Sequence, residues 1–211
     1  MVDLGGDSKR WEIIKAATRV FQRKGYRETT MKDLAEESGV SMDELKVYFP
    51  TKAHVFTEVS EYLINQIGES ALRKIRAVPS DDPRDVLKNW IRGYLEAVYF
   101  LYDEYMKIMM DFWNVGTVPE DPDSLEHKRL KDLYCRGREF FKEVIKEGIE
   151  KGVFRKVDPE LAASTLMAML DGTVLQWLIF DKGFNLALSA ETVLEIFMKG
   201  LETCDGKGKK A

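Results

Sequence analysis

Thr29-Thr30-Met31-Lys32-Asp33-Leu34-Ala35-Glu36-Glu37-Ser38-Gly39-Val40-Ser41-Met42-Asp43-Glu44-Leu45-Lys46-Val47-Tyr48-Phe49-Pro50 is the stretch that decides the fold. Thr30 can cap a short helix, with Asp33 as its capping-box partner and Leu34 and Ala35 as its buried side. Gly39 is free to take the positive φ of a tight turn. Ser41-Met42-Asp43-Glu44 is a full S-x-x-E capping box that opens a second short helix. Leu45, Tyr48 and Phe49 follow, and Pro50 closes that helix because the residue before proline avoids the helical region. Helix, glycine turn, helix is the spacing of a helix-turn-helix, whose second helix is free to enter a DNA major groove. On spacing alone, an ordinary helix pair in an all-α protein stays open as the other reading.

Working outward, Ser8 can cap a first helix carrying Ile13, Ile14, Ala17, Val20 and Phe21 at helical spacing, with Gly25 just past its end. Thr51 caps a fourth helix to about Ala77, with Val55, Phe56, Val59, Leu63, Ile67 and Ile75 as its stripe. Asp82 and Pro83 open a fifth, and a break near Tyr102-Asp103 is expected to separate it from a sixth ending near Trp113. Asp123, with Glu126 as partner, opens a seventh that stops at Lys151-Gly152. Asp158-Pro159 opens an eighth to about Phe180, and Ser189 a ninth to about Thr203. The expectation is an all-α chain of about nine helices: a three-helix head over residues 1–51, a larger helical body over 52–204, and a disordered tail from 205 to 211.

Composition bounds the function. Hydrophobic residues at 45% can bury a real core. A net charge of -4 counts against nucleic-acid binding. The charge is uneven, however: residues 9–52 hold ten Lys or Arg against seven acids, a mildly basic head on an acidic body. Cys135 and Cys204 stand far apart with no CxxC, which argues against a disulfide scaffold or zinc site and suits a reducing cytosol. The start lacks the basic-then-apolar pattern of a signal peptide, and no uninterrupted 18-residue apolar run predicts a membrane span. GxSxG, P-loop and GxGxxG patterns are missing, and Asp123-x-x-x-His127 is a lone weak metal pair. No enzyme, cofactor or metal is expected. His127, in a polar stretch at a helix start, is expected to be exposed, and His54 to be structural.

The run Thr29 to Ser41, then Leu45-Lys46-Val47-Tyr48-Phe49-Pro50-Thr51-Lys52, with Ala16-Ala17, Phe21 and Gly25-Tyr26 before it, resembles the N-terminal signature of TetR-family transcriptional regulators. Glu147 to Arg155, followed by Val157-Asp158-Pro159-Glu160 and by Asp171-Gly172, resembles the approach to that family's last two helices. The resemblance implies an Ω-shaped all-α homodimer that represses transcription from a pseudo-palindromic double-stranded DNA operator until a small molecule binds. Position by position, it implies that Thr30, Tyr48 and Lys52 touch phosphates, and that Met42, Asp43, Lys46 and Val47 face base edges. Capping for Thr30 and packing for Tyr48 are readings that hold beside these. Lys46 suits guanine O6 and N7, and Val47 a thymine methyl. Met42-Asp43-Glu44 departs from the family pattern of a basic or small residue, a small residue and a hydroxyl, and its two acids repel phosphate. Glu44 has a structural account in its capping box, and Asp43 can also accept from cytosine N4. These acids keep an alternative open: a dimeric small-molecule-binding protein whose DNA-binding head has weakened.

Residues 90–113 are dense in aromatics and methionines, which suits either core or a cavity for an apolar or aromatic effector. The candidate wall is Trp90, Tyr94, Tyr105, Met109 and Trp113, closed by Phe141 and Trp177, with Asn89, Arg136, Asp171 and Gln176 as polar anchors. The helix after Asp158 is apolar nearly all round, so one side is expected to face its own domain and the other a second copy of the chain.

Overall fold

A computed structural model of the chain describes residues 8–117, 123–180 and 182–203, and all of their side chains but those of 102–105 and 115–117. The expected tail from 205, Cys204 and the Tyr105 side chain lie outside the described residues. The described residues form eight helices: α1 (Ser8–Glu28), α2 (Met31–Ser38), α3 (Met42–Tyr48), α4 (Lys52–Ala77), α5 (Pro83–Thr117), α6 (Leu125–Glu150), α7 (Pro159–Ile179) and α8 (Leu186–Leu201). Pairing between extended segments is limited, among these residues, to one isolated bridge between Phe154 and Glu202. The chain is all-α.

Local chemistry explains most of the boundaries. Asp82 accepts from the Arg84 amide at 2.9 Å ahead of Pro83, and Asp158 accepts from the amides of Glu160 and Leu161 ahead of Pro159. Thr51 accepts from the His54 amide at 3.1 Å. Gly25, with φ 80 and ψ 168, breaks α1 so that 26–28 form a separate helical piece. Gly39, at φ 65 and ψ 30, ends α2 in the left-handed region.

Other boundaries fall elsewhere than the sequence suggests. The break near Tyr102-Asp103 does not occur, and the expected fifth and sixth helices are one helix, α5. No proline or glycine lies between Gly93 and Gly116, so the hydrogen-bond ladder runs through Tyr102-Asp103 unbroken. Ser124, not Asp123, caps α6 by accepting from the His127 amide at 3.2 Å. Asn185 caps α8 by accepting from the Leu188 amide at 3.0 Å, so the helix opens before Ser189. The reciprocal capping box forms at Thr30 and Asp33; Ser41 makes only the half in which its hydroxyl accepts from the Glu44 amide.

The chain divides into two compact units, Met1–Gln66 with Leu101–Leu133, and Ile67–Phe100 with Tyr134–Ala211. In the first, Ile13, Ala17, Val20 and Phe21 of α1 pack with Leu34, Leu45, Phe49, Val55, Phe56, Val59 and Leu63, joined by Ile108, Phe112, Leu130 and Leu133. In the second, Leu87, Ile91 and Leu95 of α5 and Val144 and Ile145 of α6 are buried, as are Leu166, Leu170 and Val174 of α7 and Val193 and Leu194 of α8. Alone among the helices searched, α7 has the length and composition to cross a membrane. Its Ala163, Leu166, Leu170, Val174 and Trp177 are nevertheless buried within this unit, and Asp171 interrupts the apolar run.

The link from α6 to α7 turns on a close approach. The ring of Phe154 lies directly over Gly148, whose carbonyl accepts from the amides of Val153 and Phe154 at 3.0 Å each. A Cβ on residue 148 would stand 2.0 Å from that ring, so Gly148→Ala must displace a side chain that is 2% exposed. The substitution is expected to lower stability by about 1–3 kcal/mol despite alanine's higher helix propensity. Denaturant unfolding checks this, and an unchanged or raised midpoint would contradict it.

Candidate nucleic-acid interface

The face that α3 turns to water is set by the face it buries. Leu45 and the following Phe49 are both 0% exposed in the first unit's core. Helical spacing then sends Asp43, Lys46 and Val47 outward. Val47 is 81% exposed, an aliphatic side chain left in water by the packing of its own helix. Lys46 is exposed and holds no ion pair among the described residues. Met42 and Tyr48 are half-buried at its flanks, and Glu44 is exposed. The sequence-expected base-facing set Met42, Asp43, Lys46 and Val47 therefore shares one short helix.

The expected phosphate contacts are more committed. Thr30 is exposed, but its hydroxyl donates to Asp33 Oδ2 at 2.8 Å and accepts from the Asp33 amide at 3.2 Å. Lys52 is half-buried; its Nζ donates to the carbonyls of Tyr26 at 2.8 Å and Arg27 at 3.3 Å and lies 4.4 Å from the Tyr26 ring centroid. Lys52 thus closes the end of α1 while remaining at the head's rim. Much of the head's positive charge is likewise paired within it. Arg19 and Arg23 both bind Glu37, at 3.0 and 2.6 Å, and Lys24 binds Asp33 at 2.6 Å.

Sequence reasoning missed Arg10, Glu58 and Arg129, an ion-pair chain with Arg10 at the end of α3. No local spacing joins residues so far apart, and nothing in the sequence singles them out. His127 departs from expectation: it is half-buried, and its Nδ1, like Ser60 Oγ, is buried without a hydrogen-bond partner among the described residues. His54 lies edge-on to the Phe49 ring, with centroids 5.8 Å apart.

The candidate effector residues divide. Trp90 stacks on Tyr94 with centroids 5.2 Å apart and meets Phe141 edge-on at 4.6 Å, all in the second unit. Trp177 instead donates its Nε1 to the Phe184 carbonyl at 2.9 Å and packs beside Tyr99. Met109 and Trp113 belong to the first unit, packed on its core. Of the polar anchors, Asp171 accepts a hydrogen bond from the Tyr134 hydroxyl, a partner that sequence reasoning did not single out. Burial raises the pKa of Asp171, and the Tyr134 hydrogen bond only partly offsets that. Burial, then the charge of Asp171, pushes the Tyr94 hydroxyl up as well. Arg136 lines an open groove of about 600 Å³ on the surface of α6, together with Phe140 and four glutamates. Asn89 is half-buried and Gln176 exposed.

Comparison with known proteins places these features. The family model for bacterial regulatory proteins of the tetR family matches residues 13–59, and that for the C-terminal part of BetI-type transcriptional repressors matches residues 83–202. The HTH-type transcriptional regulator YfiR of Bacillus subtilis (strain 168) is 28% identical over 178 residues, 83% of each chain. The transcriptional regulator FadR of Bacillus subtilis, solved in complex with stearoyl-CoA, superposes with a TM-score of 0.75 at 18% identity, covering 90% of this chain and 98% of that one. A chain from Saccharomonospora viridis solved in complex with choline gives 0.74 at 22% identity, covering 92% and 98%. At these identities the two structures establish the shared fold.

The α2 cap has a pH signature. The Lys24 ammonium, then the Thr30 amide and hydroxyl, hold the Asp33 carboxyl down to about 2 from its ordinary 3.8. A depressed folded pKa stabilises the fold above the ordinary value, and that contribution is lost as pH falls through about 2. An NMR titration of Asp33 should show its midpoint near 2 and an upward move in Lys24→Met. A wild-type midpoint in the ordinary carboxylate range would contradict the geometry.

Proposed function

Because the chain belongs to the TetR family of bacterial regulatory proteins, we propose that this transcriptional regulator is a cytoplasmic repressor. It binds a pseudo-palindromic operator through α3 and leaves it when a small apolar or aromatic effector binds. The head is residues 1–51 and the body 52–204. The observation that carries this reading is α3 itself: one face is wholly buried through Leu45 and Phe49, and the other presents Asp43, Lys46 and an 81% exposed Val47. In the major groove, Lys46 pairs with guanine and Val47 meets a thymine methyl. Thr30, Tyr48 and Lys52 set the register on the phosphates, with Met42 and Asp43 toward base edges.

A repressor with one α3 per chain needs two copies for two half-sites, about 34 Å or a multiple apart. The outer sides of α7 and α8 support a homodimer, since Leu161, Leu175, Ile179, Leu188 and Ile196 are all exposed there. Trp90, Tyr94 and Phe141, the candidates that sit together, form the effector wall. A second reading of the effector has its own observation: Asp171 is a half-buried carboxylate whose hydrogen bond comes from a tyrosine rather than a cation. Beside Tyr94 and Tyr134, it suits an effector with a cationic head. Binding of effector and DNA must be reciprocal, with a coupling of about 1–3 kcal/mol.

Selection from a random DNA pool tests the reading. The wild type should enrich a pseudo-palindrome, and Lys46→Ala should cost about 1–3 kcal/mol and relax one position per half-site. If no sequence is enriched at low salt, the alternative holds: a dimeric small-molecule-binding protein with a weakened head, for which Asp43 and Glu44 are the reason. Sedimentation velocity tests the dimer. The wild type should sediment as a dimer and Ala168→Glu, on the exposed side of α7, as a monomer. A stable wild-type monomer at micromolar concentration would sink this part.

A further inference from the structure

We propose that Arg10 is a positioning residue for α3, and that Glu58 and Arg129 hold it in place, so that a residue of α6 controls the set of the DNA-reading helix. The proposal rests on α3 being that helix. All the groups involved lie in the first compact unit.

A seven-residue helix such as α3 leaves most of its C-terminal carbonyls without partners inside the helix. The Phe49 amide satisfies that of Leu45 at 2.8 Å. Arg10 Nη1 reaches the Tyr48 carbonyl at 3.3 Å, and its guanidinium lies 4.6 Å from the centroid of the buried Phe49 ring. One planar cation therefore grips the end of α3 by a carbonyl and by a ring face, on the side where the helix dipole favours positive charge.

Arg10 is in turn fixed by a carboxylate that it shares. Its Nη2 lies 2.9 Å from Glu58 Oε1, and the same oxygen accepts from Arg129 Nη2 at 3.0 Å. Arg129 also binds Glu61, with Nη2 at 2.6 Å from Oε2 and Nε at 3.2 Å from Oε1. His54 Nε2 stands 3.8 Å from that Glu58 oxygen. Burial works against the charge of Arg129, but Glu61 and Glu58 outweigh it and raise its pKa. The Glu58 side chain is only 14% exposed, so solvent replaces a lost partner poorly there. If Glu58 is neutralised, two guanidiniums face each other across an uncharged group. If Arg129 is removed, Glu58 loses one of the two guanidiniums that hold it against Arg10.

Because the charge of Arg10 is answered by Glu58 and its Nη1 donates to the Tyr48 carbonyl, its role is to orient α3 rather than to bind phosphate. Loosening it should cost affinity for the right sequence while leaving non-specific attraction intact.

The test uses the full chain with Glu58→Gln and Arg129→Gln, neither of which is among the residues proposed to face DNA. Without DNA, hydrogen exchange of the amides at 45–49 should quicken about tenfold in both variants, with α2 amides unchanged. With DNA, affinity for a duplex selected by the wild type should fall about tenfold, while affinity for a random-sequence duplex at low salt stays the same. Arg10→Lys should show the same pattern, since lysine keeps the charge without the fork. Unchanged exchange at 45–49 overturns the proposal. So does exchange that quickens equally in α2 and α3, or equal loss of affinity for both duplexes. If the wild type selects no sequence, the repressor reading fails alone, and the exchange measurements still decide the role of Arg10.

Discussion

Burial of Leu45 and Phe49 leaves the rest of α3 no choice of face. Each of these side chains is worth about 1.5–3 kcal/mol of burial. That is far more than a seven-residue helix can supply through its own hydrogen bonds, since isolated helices shorter than about 12 residues are marginal in water. The helix exists because the core beneath it exists, with Leu34 and Phe21 in that core and Gly39 making the turn that brings α3 round. Asp43, Lys46 and Val47 then point outward as a geometric consequence. The face proposed to read DNA is here the remainder of a packing solution.

The same dependence explains why the head's charge is a poor guide to its affinity. Ten basic residues lie in 9–52. Yet Arg19, Arg23 and Lys24 are engaged with Glu37 and Asp33, Arg10 with Glu58, and Lys52 with the carbonyls of Tyr26 and Arg27. Those pairs fix α1 to α2 and α4, which gives α3 a rigid mount. Exposed pairs of this kind add little stability each, about 0–1 kcal/mol. Their effect is to hold geometry, and the cost is a weaker general field toward phosphate.

The legible part of the fold is the part written at short range. Thr30-x-x-Asp33, Gly39, Thr51, Asp82-Pro83 and Asp158-Pro159 act within three or four residues, and each sits where the pattern places it. Where two short-range signals compete, reading fails by a few positions. Ser124 displaces Asp123 as a cap because adjacent residues can serve the same first turn, and Asn185 opens α8 one turn ahead of Ser189, which lies inside the helix. A break is expected near Tyr102-Asp103, but a single residue of modest helix propensity does not stop a ladder that no proline or glycine interrupts. The aromatic stripe of 90–113 was less legible still. Periodicity says which residues share a helix face but not what meets that face, and Trp113 joins a different compact unit from Trp90. Arg10, Glu58 and Arg129 carry no signal at all, since their sequence separations of 48 and 71 lie outside any local rule.

The acids at the start of α3 can be weighed with these facts in hand. Ser41 makes only the hydroxyl half of its capping box, so the Glu44 side chain is not held by the cap that seemed to require it. What remains for Glu44 is the dipole, worth about 0.3–1 kcal/mol at an exposed helix start. Asp43 shares that benefit and lies on the outward face with Lys46 and Val47. A small gain in helix stability is thus set against repulsion from phosphate, and only a base contact reverses the balance at Asp43. On the proposed reading, acceptance from cytosine N4 would be such a contact, turning the acid from a general penalty into a filter that taxes every sequence without cytosine there. A recognition helix built this way would gain its selectivity by binding wrong sequences poorly. That matches a head whose basic residues are largely held in internal pairs.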